Sequence, residues 1–166
     1  MEIKGFTDAH QRVVEVHVNM GRELFIYQRY PELHDASWDS SIAFLPLTVL
    51  QDILTFCEGC QEKLKETTNN TKVTEYGMTL LHGNMEVTAC FNLQGFVSIK
   101  NSFPDVDNTT FRSHISNMLL ASLKEAVAFG KKCEQELLDM LERAKDREAL
   151  PVVADSPASQ DETQAL

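Results

Sequence analysis

Between residues 12 and 29 the chain interleaves aromatic, cationic and amide side chains at a two-residue spacing. If Val14, Val16 and Val18 of one extended run, and Leu24 and Ile26 of the next, face a core, strand alternation places Glu15, His17, Asn19, Phe25, Tyr27 and Arg29 on the opposite face. With Arg12 at the head of the first run and Arg22 in the turn, that face carries π surfaces for unpaired bases and donors for phosphates. Those are the two requirements of single-stranded nucleic-acid binding. Phe25 and Tyr27 would equally serve as a packing surface against another part of the chain or a second subunit. Trp38, in the loop that follows, would stack on a base, anchor a partner or fold back onto the core.

Motifs that carry catalysis are missing from this sequence. It has no glycine-rich phosphate loop, nucleophile elbow or His-Glu-x-x-His, and its carboxylates form no recognisable acid/base pair, so we expect binding rather than chemistry and no cofactor. Cys57-Glu-Gly-Cys60 has the spacing of half a zinc site. It lacks a second pair and falls within an amphipathic helical pattern, so it reads as buried small residues rather than a metal or redox centre.

The elements that must position the candidate face are legible from composition and period. VVEVHV and ELFIYQRY are rich in β-branched and aromatic residues and flank Asn19-Met20-Gly21, which predicts a hairpin. SSIAFLP predicts a short strand, and Pro46 suits the first turn of a following helix, where its missing N–H is not needed. Leu47, Leu50, Ile53, Leu54, Cys57 and Leu64 then recur at three- and four-residue spacing, so one face of that helix should cover a sheet.

The same plan recurs downstream as YGMTLLH, MEVTACF and GFVSIKNSF, followed by a helix bearing Leu119, Leu120, Leu123 and Val127. FRSHISNML reads either as a fourth strand near Phe111–Ile115 or as the start of that helix, capped by Asp107 or Asn108. At an offset of 73 residues Ile26 meets Ile99, Tyr30 meets Phe103, Pro31 meets Pro104, Ile42 meets Ile115, Phe56 meets Phe129 and Cys60 meets Cys133. A match sustained through Pro, Phe and Cys indicates an internal duplication. The expected fold is α+β, a tandem pair of ββββα units with antiparallel sheets, covering helices and an extended C-terminal helix. The first unit spans 1–66, a polar linker 67–73 and the second unit 74–147, the two forming one globular domain. The corresponding face of the second unit offers Asn92, Phe96, Ser98 and Lys100, with one formal positive charge.

The hairpin RVVEVHVNMGRELFI and the strand and helix SSIAFLPLTVLQDILTFCEGCQEKL resemble the purine-rich-element-binding (PUR) repeat family and, more distantly, the Whirly group. VTACFNLQGFVSIKNSF resembles the same hairpin with Phe96 in place of the arginine that follows the glycine. The resemblance implies an intramolecular pseudo-dimer that binds single-stranded DNA or RNA on its sheet faces. It also implies a role in transcription, replication or RNA metabolism, in nucleus or cytoplasm. Family sheets are rich in Lys and Arg, whereas Glu15, Glu23 and Glu86 stand at candidate surface positions here. The alternative is an acidic protein-interaction module that keeps the fold without the nucleic acid.

The net charge of −10 is concentrated toward the C-terminus: residues 134–166 carry nine acids and three bases. An acidic balance opposes sequence-blind attraction to phosphate but permits a local basic patch. Leu137, Met140, Leu141 and Ala144 form a narrow apolar stripe beyond the length of the first helix, which predicts homodimerisation. Residues 148–166 read as a disordered acidic tail available to other proteins. No run approaches the length of a membrane span and the N-terminus lacks a signal-peptide pattern, so we expect an intracellular, non-secreted protein without a membrane partner.

Overall fold

The computed structural model describes residues 1–31, 39–66, 74–103 and 111–149. Four strands, β1 (Glu2–Thr7), β2 (Val13–Val18), β3 (Glu23–Arg29) and β4 (Ser40–Pro46), lead into helix α1 (Leu47–Glu66). Four more, β5 (Glu75–His82), β6 (Met85–Asn92), β7 (Phe96–Phe103) and β8 (Phe111–Leu119), lead into α2 (Leu120–Ala149). The FRSHISNML segment is therefore a strand, and longer than the Phe111–Ile115 alternative. Its alternation of buried Ile115 with solvent-facing Arg112 and His114 has the period of a sheet. Asp107, Asn108, the 67–73 linker and Trp38 lie outside the described residues, as does the expected tail apart from residues 148 and 149, which belong to α2.

The eight strands form one antiparallel sheet in the order β1-β2-β3-β4-β8-β7-β6-β5, not two separate sheets as the sequence suggested. The fourth strands of the two halves meet at the centre, where each would otherwise leave an unpaired edge. Only Ser41 and His114 pair in register there. Much of the remaining join is made by side chains. Gln28 Nε2 donates to the Ser116 carbonyl at 3.0 Å and Asn101 Nδ2 to the Ala43 carbonyl at 2.8 Å. The Ala43 amide donates to Ser113 Oγ at 3.0 Å and the Ser116 amide to Ser40 Oγ at 3.4 Å. The Ser113 hydroxyl also bonds Asn101 Oδ1, closing a ring of partners around an amide that is 1% exposed. Each missing partner costs about 1–3 kcal/mol, and Gln28 Oε1 is left without one among the described residues.

One face of the sheet carries the core. Val14, Val16, Leu24, Ile26 and Ile42 from the first four strands, and Val87, Ala89, Phe91, Val97 and Ile99 from the later ones, are almost wholly buried. Leu50, Ile53 and Cys57 of α1 and Leu123, Ala126 and Val127 of α2 close over them. Burying each large aliphatic side chain contributes roughly 1.5–3 kcal/mol. Helix α1 reaches across to β5 and β6. A Cβ on Gly130 in α2 would lie 2.8 Å from Leu47 Cδ1 and 3.2 Å from Leu24 Cδ2, so the absent side chain lets that helix approach the first half closely. Each helix thus helps cover strands from the opposite half.

The chain divides into two compact units, Met1–Cys133 and Glu134–Leu166. The sheet, α1 and the first part of α2 belong to the former. In the latter the described residues continue α2, where Leu137 is half-buried and Leu138, Met140, Leu141 and Ala144 are exposed. No helix among the described residues is long and apolar enough to cross a membrane.

Candidate nucleic-acid interface

The face opposite the helices is open. One registered row runs unbroken across the join: Glu15, Tyr27, Ser41, His114, Lys100 and Thr88 stand side by side from β2 to β6. The two ends of this row differ in chemistry.

On the first half, His17 and Phe25 are cross-strand partners whose rings meet edge to face at 5.5 Å. Phe25 lies 6.2 Å from Phe44, which is 48% exposed. The three rings form a strip across β2, β3 and β4, beside Tyr27. The Tyr27 hydroxyl donates to Asp39 Oδ2 at 2.8 Å, and that bond, more than burial, raises its pKa. Phe44 was not singled out from the sequence. It sits at the β3–β4 register shift with φ of 46°, a left-handed conformation that bulky residues rarely adopt, and a β-bulge is what re-aims its ring onto the open face.

On the second half, Lys100, Arg112 and His114 surround a depression of about 390 Å³ also lined by Glu86, Thr88 and Ser102. The sequence pointed to one positive charge here. Assignment of FRSHIS as a strand adds Arg112 and places His114 between Lys100 and Ser41. Partial burial, and then the charge of Lys100, lower the His114 pKa, so its imidazole is neutral at pH 7. Alternation in FRSHIS was the available signal, and it was obscured because the same residues also suit a helix start.

Several expected ligand-binding residues have other work. Arg12, expected on the open face, is 2% exposed; its Nε donates to Asp8 Oδ2 at 2.7 Å and its Nη1 to the Asn117 carbonyl at 2.6 Å and the Tyr30 hydroxyl at 3.1 Å. It ties the first half to β8. Asn19 and Asn92 organise the β2–β3 and β6–β7 turns, their Oδ1 atoms accepting from the amides of Glu23 at 3.0 Å and Phe96 at 2.9 Å. Arg22, at φ 61°, is exposed at its turn, and Arg29 is exposed at the end of β3. Phe96 is half-buried and packs near Arg12 and His10, away from the aromatic strip. Cys57 and Cys60 are buried on α1, and burial pushes the Cys57 thiol up to about 12.

No protein-family model and no curated protein matches this sequence.

Proposed function

We propose that this chain binds single-stranded DNA or RNA across its open sheet face, with bases stacked on the first half and phosphates held on the second. The observation that carries this reading is the continuity of that face: His17, Phe25, Tyr27 and Phe44 adjoin Lys100, Arg112 and His114 with no break between them. Aromatic platforms with a neighbouring cationic groove are what sequence-tolerant binding of unpaired strands needs. The chain's net charge is −10, but at physiological salt charges more than about 8 Å away are largely screened; Lys100 and Arg112 form a local basic pair, offset in part by Glu86 in the same depression.

The reading includes descent from a duplicated ββββα unit of PUR or Whirly type. The join supports it. Gln28 and Asn101, Ala43 and Ser116, Ser40 and Ser113, and the left-handed residues Phe44 and Asn117 are all 73 residues apart, and their bonds across the join are interchanged by the same offset. Assembly belongs to the proposal as well: Leu137, Met140, Leu141 and Ala144 would bury their stripe against the same helix of a second copy. Fluorescently labelled 12-mer DNA and RNA strands titrated at two salt concentrations test the main reading. Binding that weakens as salt rises supports it. Absence of binding at low salt, with binding of a protein partner through Phe25 and Phe44, would replace it with the interaction-module reading.

A further inference from the structure

At the end of the sheet where β2 begins and β3 ends, a pocket of about 400 Å³ lies outside the stacking strip. His10, Arg12, Tyr30, Asn92, Phe96 and Asn117 contribute to its lining. Arg12 Nη2 is buried and has no hydrogen-bond partner among the described residues, although the rest of the guanidinium is fully engaged. A buried charged donor left unsatisfied is costly, and native structures keep such groups chiefly where a ligand or ordered water completes them.

From this we infer that the pocket takes one unpaired, carbonyl-bearing nucleobase, a reading that rests on the strand-binding function proposed above and adds base selectivity to it. Two features favour a neutral planar ligand over a phosphate. The Arg12 charge is already balanced by Asp8, with both side chains almost completely buried, so the site carries no net positive charge to hold a phosphate. The walls are aromatic: the guanidinium carbon lies 5.6 Å from the Tyr30 ring centre and 5.9 Å from that of Phe96, and His10 lies 5.7 Å from Phe96. A flat heterocycle can stack among these rings while its carbonyl accepts from Nη2. Because Nη2 is screened from solvent, seating that carbonyl requires a side-chain rotation, which is common on binding. Adenine has no exocyclic carbonyl and is disfavoured. The turn geometry that carries Phe96 is held by Asn92, so the sequence feature behind the pocket is the pairing of Arg12 with a residue 84 positions away, which no local pattern reveals.

Uncharged nucleosides test the pocket apart from the sheet face. In NMR titrations of the full chain, uridine, cytidine and guanosine should shift the His10, Asn92, Phe96 and Asn117 signals saturably. They should bind roughly three- to ten-fold tighter than adenosine, the worth of one hydrogen bond. His10→Ala, at an exposed position, should weaken all four several-fold without altering the fold. Absence of saturable shifts at these residues, equal affinity for all four nucleosides, or a stronger response to inorganic phosphate would each overturn the inference. If nucleosides fill the pocket but no oligonucleotide binds, the strand-binding reading falls and the pocket stands. If oligonucleotides bind while the pocket stays unresponsive to nucleosides, the pocket falls and strand binding stands.

Discussion

The two halves of the open face occupy the same sheet and differ at nearly every corresponding position. Where the first half has Tyr27, Phe25 and Phe44, the residues 73 positions later are Lys100, Ser98 and Asn117. Where it has Ser41, the second half has His114. The buried faces diverge much less: Leu24 and Val97, Ile26 and Ile99, Ile42 and Ile115, and Gln28 and Asn101 are all buried. Packing density explains the contrast, because a core position accepts only a neighbour-compatible volume whereas an exposed one is constrained by what it contacts outside the fold. One continuous surface thus carries aromatic side chains on the first half and cationic ones on the second.

The largest expected effect comes from erasing the aromatic side of this contrast. Phe25→Ala combined with Phe44→Ala should lose about 1–3 kcal/mol for each base that no longer stacks, a loss of roughly 5- to 150-fold in oligonucleotide affinity per base. The slope of affinity against salt should stay the same; a changed slope, or unchanged affinity in a folded variant, breaks the division of labour. Erasing the cationic side should do the opposite. Lys100→Ala with Arg112→Ala removes two phosphate contacts and should lower the salt slope by about 1.4, with a smaller loss of affinity at moderate salt. Equal salt slopes for that variant and the parent would mean that the strand does not cross the join.

A third comparison exchanges the residues at one pair of corresponding positions. Phe44 holds a left-handed conformation that Asn117 adopts at lower cost, since asparagine is enriched there. Phe44→Asn should therefore raise stability by about 0.5–1 kcal/mol in denaturant unfolding while weakening oligonucleotide binding. Loss of both stability and affinity would show that Phe44 is held for packing. The smallest effect concerns pH. The His114 pKa lies below its ordinary value of 6.5, so affinity should be flat above that pH and rise by less than about 1 kcal/mol as His114 protonates on further acidification. His114→Gln should abolish the rise. The contribution of this group to folding has the opposite sense, being present above 6.5 and lost as pH falls through the lowered folded value.

Much of the fold was legible in the sequence because it rests on local period. The alternation in VVEVHV and ELFIYQRY specified which residues of β2 and β3 face outward, and the spacing from Leu47 to Leu64 specified the helix and most of its buried face. Phe25, Tyr27, Arg29 and Lys100 stand on the open face for that reason. What local pattern could not determine is which edges meet. The pairing of β4 with β8 joins strands whose partners lie about 70 residues apart, and it alone brings the aromatic and cationic halves together. The fate of Arg12 was decided in the same way. By type it is a phosphate donor, yet the fold places the Asn117 carbonyl, Tyr30 and Asp8 around it, so that Nε and Nη1 are tied into the structure while Nη2 is left without a partner among the described residues. Sequence by itself determined most of the strands, the helices and the chemistry available on each, because those follow from neighbours two to four residues apart; FRSHISNML, which suits a strand or a helix start, became a strand only through its pairing with β7. Only tertiary structure decided which cations reach the open face and which are buried, because that depends on contacts between distant segments.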